Sequence, residues 1–462
     1  MMEDIIALCK RRGFIYPSSE IYGGMAAVYD YGPYGVLLKN NIQDAWWKNM
    51  VQYRQDVIGL DSGIFMHPTT WKASGHVESF SDPQIDCRVC NNRIRADHML
   101  KKYGYDFDRV SVEEINKTLS ELSAKGKLHC DKCGSTDMTE ARDFNLLVRT
   151  NFGSPVGALK DMKEEDVVYA RGETCQGIYL NFKNILDSMR VKLPFGIAQV
   201  GKAFRNEIVA RQFIFRTREF EQMELQYFVH PRDMAQKFDY WIEERMKWYF
   251  DVLCISKENL RLKKHDKLAH YAKSAYDIQY NFKSLNGFDE IEGVHQRGDW
   301  DLTRHSKFSG HELDYTDPTT KEKFVPHIME TSVGLNRLVF MVLDFAFKKE
   351  ELSNGKSRVV LQLPPSIAPI KAAVFPLQKD EKLANAAKNI YTNLCKEFSV
   401  EYDDAGNIGK MYRRQDEIGT PFCLTIDYQS LEDNTITIRE RDTMRQVRVA
   451  TSESASYIKD KL

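Results

Sequence analysis

Large apolar residues recur at the spacing of a helix face in three stretches of the chain. In residues 36–56 the recurrence passes through Ile42 and Trp46, and it predicts one long helix. Residues 233–251 carry a similar helical pattern. The apolar run over 335–347 predicts a buried helix.

Short apolar or alternating runs predict strands over 178–182, 195–204 and 219–228. The second run contains GIAQVGKA, which has the spacing of a phosphate-binding loop. Ala203 stands where that loop needs a hydroxyl group for magnesium, so we reject the phosphate-loop interpretation. The alternation of the run favours a plain strand.

Composition divides the chain into five parts. Residues 85–160 are charged and carry cysteines, which indicates an insertion between 1–84 and 161–350. Asn-Gly and Pro-Pro pairs near 351–366 are typical of a connection between domains. In 367–462 a strand, a helix and further strands follow one another, which predicts a small α/β domain with a right-handed crossover.

The overall charge excludes binding of nucleic acid by a global positive field. The chain has 462 residues, 42% of them hydrophobic, with 65 Lys and Arg against 66 Asp and Glu. Any RNA partner must therefore be held by local contacts. The N-terminus lacks the apolar core of a signal peptide and has too many acidic residues for a transit sequence. The longest apolar stretch is interrupted by Asp344, so we expect a soluble cytoplasmic protein with no membrane span.

Four of the nine cysteines form two C-x-x-C pairs, Cys87 with Cys90 and Cys130 with Cys133, separated by 39 residues. Each pair can place two thiolates on one tight turn, and two such turns complete the tetrahedral shell of a structural zinc ion. A redox dithiol and unligated surface thiols are the alternatives. A reducing cytosol favours metal ligands over disulfides.

The densest cluster of reactive side chains lies in residues 204–225. If this segment is strand, loop and strand, Arg205 and Glu207 share one face, and Phe220 and Glu224 share one face of the return strand with Arg218 and Gln222. A guanidinium suits a phosphate, a carboxylate can accept from an exocyclic amine, and a phenyl ring can stack on a base, so the segment could hold ATP. A surface hairpin with cross-strand ion pairs is an equally good interpretation of this segment alone.

Two further segments favour a site. The first, RGETCQG, offers Arg171, Glu173 and Gln176 beside a turn, and METSVGLNR brings Glu330, Ser332 and Arg337 directly before the predicted buried helix. Charged side chains are rarely buried, so charged groups at the start of an apolar helix are expected to face a cavity. Each segment alone is also compatible with an ordinary capped helix start.

At these residues the sequence resembles the homodimeric glycyl-tRNA synthetases, a family of class II aminoacyl-tRNA synthetases. The FRNE segment with RTREFEQME resembles class II motif 2, METSVGLNR resembles motif 3, and the helix before HPTTWKASGHV with Pro68 resembles motif 1. The phrases YDYGPYG, SGHVESFSDP, IRADH, RRQDEIGTPF and TIRERDTM are also similar to the family. The likeness runs nearly from end to end.

The resemblance implies an α+β fold: an antiparallel catalytic sheet flanked by helices, an inserted Cys-rich module and a C-terminal α/β anticodon-binding domain. The catalytic domain would comprise 1–84, with motif 1 at the dimer interface, and 161–350. The insertion would be 85–160, the linker 351–366 and the anticodon-binding domain 367–462.

The resemblance also implies the activity of a glycine–tRNA ligase. Glycine and ATP, with Mg²⁺, would give glycyl-adenylate and pyrophosphate, and glycine would then pass to the 3′ end of tRNA-Gly. The expected assembly is a homodimer. Two alternatives are a non-catalytic relative that binds nucleic acid and a class II synthetase for another amino acid.

Matched residue by residue, the resemblance implies that Arg205 grips the ATP α-phosphate, Glu207 accepts from the adenine amine, and Phe220 and Arg337 sandwich the base. Arg205, Glu207 and Arg337 are the expected catalytic residues. The expected ATP contacts are Arg205, Asn206, Glu207, Phe215, Arg216, Thr217, Arg218, Glu219, Phe220, Ile291, Glu292, Gly334, Leu335, Asn336 and Arg337. The expected glycine contacts are Arg95, Glu173, Phe220, Glu221, Gln222, Met223, Glu224, Glu330, Thr331, Ser332, Val333 and Gly334.

The glycine pocket implied by these matches is lined by carboxylate side chains. Since glycine has no side chain, only its amine and carboxylate can be held, and selection against alanine must rest on steric exclusion. We therefore expect no separate editing domain. The sequence departs from the family at Gly172 and Thr331, where the family usually has proline.

The predicted anticodon-binding part is not a basic module, because residues 367–462 hold 14 Lys or Arg and 15 Asp or Glu. Contacts with RNA are expected only from local clusters, which include Arg413, Arg414, Arg439 and Arg441. Ordinary surface charge is the alternative explanation of these arginines.

Overall fold

The computed structural model describes residues 1–105, 110–152, 167–207, 212–265, 273–351, 355 and 357–462. The α-helices in these ranges are α1 (Met2–Arg12), α2 (Pro33–Trp47), α3 (Pro68–Ala73), α4 (His76–Ser79), α5 (Ala96–Lys101), α6 (Val112–Ala124), α7 (Cys175–Leu180), α8 (Phe182–Met189), α9 (Met234–Asp251), α10 (Trp300–Ser309), α11 (Leu335–Ala346), α12 (Glu381–Leu394), α13 (Ile408–Ile418), α14 (Tyr428–Asp433) and α15 (Ser454–Lys459).

The strands in the same ranges are β1 (Ile15–Pro17), β2 (Tyr29–Tyr31), β3 (Val57–Gly59), β4 (Ser81–Asp86), β5 (Arg93–Arg95), β6 (Arg142–Asn145), β7 (Val148–Asn151), β8 (Val167–Ala170), β9 (Phe195–Phe204), β10 (Glu219–Val229), β11 (Leu260–Lys264), β12 (Ser274–Phe282), β13 (Gly287–Gly298), β14 (Tyr315–Thr316), β15 (Lys323–Phe324), β16 (His327–Gly334), β17 (Phe347–Glu351), β18 (Ser357–Leu361), β19 (Ala372–Pro376), β20 (Val400–Tyr402), β21 (Phe422–Ile426), β22 (Thr435–Glu440) and β23 (Gln446–Ala450).

A seven-stranded sheet forms the centre of the fold, in the order β11-β12-β13-β16-β10-β9-β3. Its strands are antiparallel except at one edge, where β3 runs parallel to β9. The long strands β9, β10, β13 and β16 lie side by side in the middle. Side chains that alternate along these four strands therefore meet on one face of the sheet.

Helices α2, α9 and α11 pack with the sheet into the largest hydrophobic cluster of the protein. Helix α2 begins at Pro33, whose fixed φ angle suits a first helical position, and it continues into a π-helical turn over Lys48–Gln52. Helix α11 is almost entirely buried, as the apolar run predicts. A second cluster packs α7 and α8 against β9 and β10.

The strand prediction for 178–182 is wrong. Ile178 and Tyr179 lie in α7, and Phe182 begins α8. The five-residue run is too short to distinguish a strand from a buried helix, whereas the wider spacing Ile178, Phe182, Ile185 is helical. The strand predictions for 195–204 and 219–228 and the helix prediction for 233–251 are confirmed.

The cysteine-bearing stretch folds around a small sheet of its own, in the order β5-β4-β6. Helices α5 and α6 cover this sheet, and residues such as Leu100 and Leu119 form its core. The stretch lies next to the central sheet through its two ends, Phe80 before β4 and Leu146 after β6.

The C-terminal residues form a separate five-stranded sheet, in the order β20-β19-β21-β22-β23. Strand β19 runs parallel to both of its neighbours, as a strand–helix–strand unit requires. The Asp380 side chain caps α12 by accepting from the backbone N–H groups of Lys382 and Leu383 at 2.9 and 3.1 Å. The apolar face of α12 packs on the sheet.

Among the helices of the described ranges, none is both long and apolar enough to span a lipid bilayer.

Candidate active site

One cavity opens on the face shared by β9, β10, β13 and β16. It gathers most of the residues that the sequence singles out, although they come from four separate segments. The expected residues on its wall are Glu173, Arg205, Glu207, Phe215, Arg216, Thr217, Phe220, Gln222, Glu224, Ile291, Glu330, Ser332, Gly334, Asn336 and Arg337.

The hairpin of β9 and β10 supplies one wall. Phe220 pairs with Ala203 and Glu224 pairs with Gln199 in the antiparallel register. Because side chains alternate along a strand, Phe220, Gln222 and Glu224 all reach the cavity. Arg205 follows the last residue of β9, and its backbone N–H donates to the Arg218 carbonyl at 2.9 Å.

Two arginines mark one end of the cavity, which we call the arginine end. The Arg205 guanidinium carbon lies 5.4 Å from the centre of the Phe220 ring. The Arg337 guanidinium carbon lies 4.8 Å from the centre of the Phe215 ring, and its Nη1 is 3.3 Å from a carboxylate oxygen of Glu290. Two guanidinium groups beside flat rings suit a ligand that combines phosphates with an aromatic base.

Three carboxylates, Glu173, Glu224 and Glu330, line another part of the cavity, which we call the glutamate end; Glu224 lies four residues farther along β10 than Phe220. Glu224 accepts from the Ser332 hydroxyl at 2.6 Å, from the Thr174 backbone N–H at 3.1 Å, and from the Thr174 hydroxyl. All of these partners are neutral. Burial raises the pKa of Glu224 to about 7, and the nearby Glu330 and Glu173 carboxylates add to the effect.

Glu330 differs from Glu224 because the Arg297 guanidinium pairs with it directly. Its oxygens pair with His295 Nδ1 at 2.8 Å and with Arg297 Nη1 at 3.0 Å, and it also accepts from Gln226 at 2.7 Å. Burial acts to raise the pKa of Glu330, but Arg297 and His295 outweigh it and hold the pKa below its usual range.

Glu173 is held by Gln176 of the helix that follows it and by His76 of α4. It accepts from the Gln176 amide at 2.9 Å and lies 3.3 Å from His76 Nε2. Burial works against its charge, but His76 and Arg297 outweigh it and keep the pKa of Glu173 well below its usual range. The glutamate end thus has two carboxylates whose pKa is held below its usual range and one, Glu224, whose pKa is raised and whose direct partners are all neutral.

Arg171 anchors the loop that carries Glu173. Its side chain is 2% exposed, and it donates to the backbone carbonyls of Lys202 at 2.6 Å and Ser62 at 2.9 Å. The guanidinium crosses Gly201 so closely that a Cβ there would lie 2.1 Å from Nη2. Arg171 therefore needs glycine at position 201 of the strand.

Relatives that match the chain over its whole length show which family the protein belongs to. The chain is 50% identical to the glycine–tRNA ligase of Borrelia garinii subsp. bavariensis over 100% of its own length and 97% of the relative. It is 47% identical to the glycine–tRNA ligase of Chlorobaculum tepidum, with 100% of both chains covered. The chain belongs to the glycine–tRNA ligase family.

Two family models divide the chain in the way expected of glycine–tRNA ligases. Residues 159–345 match the tRNA synthetase class II core domain (G, H, P, S and T), and residues 371–461 match the anticodon binding domain. The crystal structure of prolyl-tRNA synthetase from Cryptosporidium parvum, with L-proline and AMP, superposes with a TM-score of 0.63 at 15% identity. That likeness covers 99% of this chain and 74% of the other, and it shows the class II fold.

The expected contact of Glu292 with the nucleotide is wrong for this member of the glycine–tRNA ligase family. It was expected along the nucleotide, but it is fully buried in an ion pair with Arg245 at 2.6 Å and accepts from the Tyr249 hydroxyl at 2.7 Å. Strand alternation explains this position, since its neighbour Ile291 faces the cavity.

Alternation also removes several other expected contacts from the cavity wall. Glu221 points to the opposite side of β10 and pairs with Lys39 at 2.6 Å. Glu219 pairs with Lys202 at the surface. Arg218 leaves the wall for a different reason: it precedes the first residue of β10, and its Nε donates to the Glu207 carbonyl at 2.8 Å. Buried positions on the far faces of β10, β16 and α11 are occupied by Met223, Thr331, Val333 and Leu335.

Two expected contacts lie outside the cavity in the neighbouring parts of the fold. Arg95 is in β5 and pairs with Asp82 at 2.8 Å and Asp97 at 2.7 Å. Asn206 is exposed, and only its backbone takes part in the local structure, through an N–H bond to the Leu146 carbonyl at 2.8 Å.

Strand β13 brings residues to the cavity that the sequence reasoning missed. Its additional wall residues are Glu290, Gly293, His295 and Arg297, and Ile214 joins the wall from the turn before β10. Gly293, His295 and Arg297 follow Ile291 with a period of two. Extending the strand pattern from Ile291 is the signal that would have found them.

Two of the four arginines expected to contact RNA are structural. Arg439 is 6% exposed and pairs with Asp416 at 2.9 Å, and Arg441 is 2% exposed and donates to the carbonyls of Gly419 and Leu363, both at 2.7 Å. Strand spacing placed both on one face, but that face is inward. Arg414 pairs with Asp403, whereas Arg413 is exposed.

The four paired cysteines meet in space. All four Sγ atoms lie within 4.8 Å of one another. The Cys87–Cys133 and Cys90–Cys130 Sγ distances are both 3.6 Å. A tetrahedral ZnS₄ site with Zn–S bonds near 2.3 Å requires S–S distances of about 3.8 Å, so the arrangement fits zinc and is too wide for a disulfide.

Proposed function

We propose that the chain activates glycine with ATP and transfers it to the 3′ end of tRNA-Gly. The observation that carries the proposal is one cavity whose wall holds Arg205 and Arg337 beside aromatic rings together with three buried glutamates. Family membership at about 50% identity over the whole chain supports the same activity. The proposed ATP residues are the expected ones on the cavity wall, led by Arg205, Glu207 and Arg337.

In the first step, a glycine carboxylate oxygen forms a bond to the α-phosphorus as the bond to pyrophosphate breaks. The attacking carboxylate is already ionised at neutral pH, so the protein supplies alignment and charge stabilisation and no general base. Arg205 stabilises the charge on the α-phosphate, Phe220 and Arg337 hold the base, and Glu207 accepts from its amine. In the second step the terminal ribose hydroxyl of the tRNA attacks the glycyl carbonyl, and AMP leaves.

Glu224 is the proposed anchor of the glycine ammonium. The Arg297 guanidinium pairs with Glu330, and the pKa values of Glu330 and Glu173 are both held below their usual range, whereas the direct partners of Glu224 are neutral hydroxyl and amide groups. An ammonium beside Glu224 therefore compensates a buried charge that the protein leaves uncompensated. The Ser332 hydroxyl lies on the same side and limits the room for a side chain, so we propose that alanine is excluded without an editing domain.

Cys175 lies near Glu224 and Glu330 in a group with the spacing of metal ligands. Burial, followed by the nearby carboxylates Glu173 and Glu224, raises the pKa of the Cys175 thiol well above its usual range. A thiol that stays protonated is a poor metal ligand. The group suits an ammonium ion better than a metal ion.

Mg²⁺ would reach the site with the phosphates of ATP, where it would neutralise charge on the leaving pyrophosphate. Glu290, on the wall beside Arg337, is the carboxylate best placed to face it. A structural Zn²⁺ at the four paired cysteines would tie the β4–β5 turn to the loop before β6.

We further propose a homodimer built on the motif 1 helix α2, in the cytoplasm, where tRNA and ATP meet. The domain division proposed from the sequence is kept, except that the inserted part begins at Phe80 and not at residue 85, because β4 belongs to the small sheet of that part. Exposed Arg413 is the proposed RNA contact in the anticodon-binding part, and the buried Arg439 and Arg441 are not.

Glycine-dependent ATP–pyrophosphate exchange tests the proposal directly. Arg205→Ala should lower the exchange rate by about 10²- to 10³-fold, because a preorganised charge at the transition state is lost. Arg232→Ala, at a site 72% exposed, is the matched control and should exchange like the unaltered protein. Exchange that survives Arg205→Ala undiminished would refute the assignment, and an unaltered protein inactive in exchange would favour the non-catalytic alternative.

A further inference from the structure

Arg205 contacts a second aromatic ring, which comes from the cysteine-bearing stretch. Its guanidinium carbon lies 5.1 Å from the centre of the Phe80 ring, slightly closer than the 5.4 Å to Phe220. Phe80 directly precedes β4 and is half-buried. A guanidinium within about 6 Å of a ring centre is attracted by its π electrons.

Backbone hydrogen bonds fix the ring and the arginine in the same local structure. The Leu146 N–H donates to the Phe80 carbonyl at 2.8 Å, and the Asn206 N–H donates to the Leu146 carbonyl at 2.8 Å. The two ends of the cysteine-bearing stretch are thus bonded in series to the residue after Arg205.

The Phe80 ring also packs against the loop that carries Glu173. A Cβ at Gly172 would lie 3.1 Å from the Phe80 ring and 3.3 Å from the Leu147 side chain. The Gly172 carbonyl accepts from the Arg205 Nε at 3.0 Å. Arg205 is therefore held by a ring and by a carbonyl whose own position depends on that ring.

Among the described residues, the terminal amino groups of Arg205 make no hydrogen bond, so they remain available for a ligand. An unrestrained arginine loses much rotamer freedom when it binds a phosphate. A guanidinium that is already oriented avoids this cost in the transition state.

We propose that Phe80 is a positioning residue for Arg205, so that the cysteine-bearing stretch forms part of the ATP site. The inference rests on the proposed function, because it assigns Phe80 a role in adenylate formation. It assigns no contact between Phe80 and the substrates. Its effect should therefore fall on the rate of glycine activation and leave the KM for glycine unchanged.

The test compares steady-state exchange kinetics of Phe80→Leu and Phe80→Met, which fill the space without a ring, with Phe80→Tyr, which keeps the ring. Loss of the ring should lower kcat for exchange by about 5- to 30-fold, the range of a partly desolvated cation–π contact. Phe80→Tyr should restore most of that rate. The KM for glycine should stay the same in all three variants.

Phe144→Leu is the matched control, because Phe144 lies in β6 of the same stretch and its ring centre is 4.6 Å from the Arg93 guanidinium carbon, away from the cavity. It removes the same kind of contact and should not change kcat. A double-mutant cycle with Arg205→Lys adds a second readout, since the loss from Phe80→Leu should shrink in that background.

Unchanged kcat in both Phe80→Leu and Phe80→Met would overturn the inference, as would equal losses in Phe80→Leu and Phe144→Leu or full additivity with Arg205→Lys. Absence of glycine-dependent exchange in the unaltered protein would instead overturn the proposed function. The two failures are therefore distinguishable in one set of assays.

Discussion

Replacing Glu224 with glutamine should separate stability from glycine binding. The glutamine side chain would keep the shape of the glutamate: its carbonyl can accept from Thr174, and its amide can donate to the Ser332 hydroxyl. The substitution removes only the charge. It therefore isolates what the carboxylate costs the unliganded protein and what it contributes to the complex.

The size of the effect follows from the pKa of Glu224, which burial beside two other carboxylates raises from 4.5 to about 7. Because the folded protein binds this proton more tightly than the unfolded chain, stability falls as the pH rises from about 4.5 through about 7. At 1.36 kcal/mol per unit, ionised Glu224 costs at most about 3 kcal/mol above pH 8. Glu224→Gln should raise the free energy of unfolding by up to that amount at pH 8 and hardly at pH 4.5.

Glycine binding should show the opposite preference. With a pKa of about 7, Glu224 is about one-tenth ionised at pH 6 and about nine-tenths ionised at pH 8. The KM for glycine should therefore be about tenfold higher at pH 6 than at pH 8. Glu173 and Glu330, whose pKa values are lowered, stay ionised over this range. In Glu224→Gln the KM should be high and lose this pH dependence.

Urea unfolding at the two pH values and exchange kinetics between pH 6 and 8 provide the measurements. The control is Glu243→Gln, the same change at an exposed position of α9, with the KM for ATP recorded in parallel. A Glu224→Gln protein that is less stable at pH 8, or that binds glycine as tightly as the unaltered protein, would refute the reasoning.

Three further predictions concern other parts of the fold. The purified protein should contain about one zinc ion per chain by elemental analysis, and the Cys130→Ser variant should contain none and have a lower Tm. If the unaltered protein contains no zinc and the variant has the same Tm, the four cysteines are free thiols. Arg439→Ala should lower the free energy of unfolding in urea by about 1.5–3 kcal/mol, because buried Asp416 loses one of its two arginine partners and keeps Arg358. Arg413→Ala should lower tRNA charging and leave pyrophosphate exchange intact; equal loss of both would contradict an RNA contact.

The central hairpin could be predicted from the sequence because its signal is local. Alternation along β10 is enough to place Phe220, Gln222 and Glu224 on one face, and the structure has them on the cavity wall. The same rule applied to β13 would have separated Ile291 from Glu292.

Other features depend on partners distant in the chain. In the sequence, Arg439 has no feature that distinguishes it from a surface arginine. In the structure, the packing of α13 and β18 places Asp416 and Arg358 beside it. The contact between Phe80 and Arg205 spans more than a hundred residues and joins two parts of the fold. Periodicity within one segment carries no information on such pairs.

The most direct test of the account is amino-acid-dependent ATP–pyrophosphate exchange measured with glycine, alanine and serine side by side. The proposed cavity holds the glycine ammonium at Glu224 and leaves little room beside the α-carbon. We therefore expect strong exchange with glycine and a kcat/KM at least about 10²-fold lower with alanine and serine, which is the discrimination that steric exclusion can give. Equal exchange with alanine or serine, or exchange with neither glycine nor the others, would contradict it.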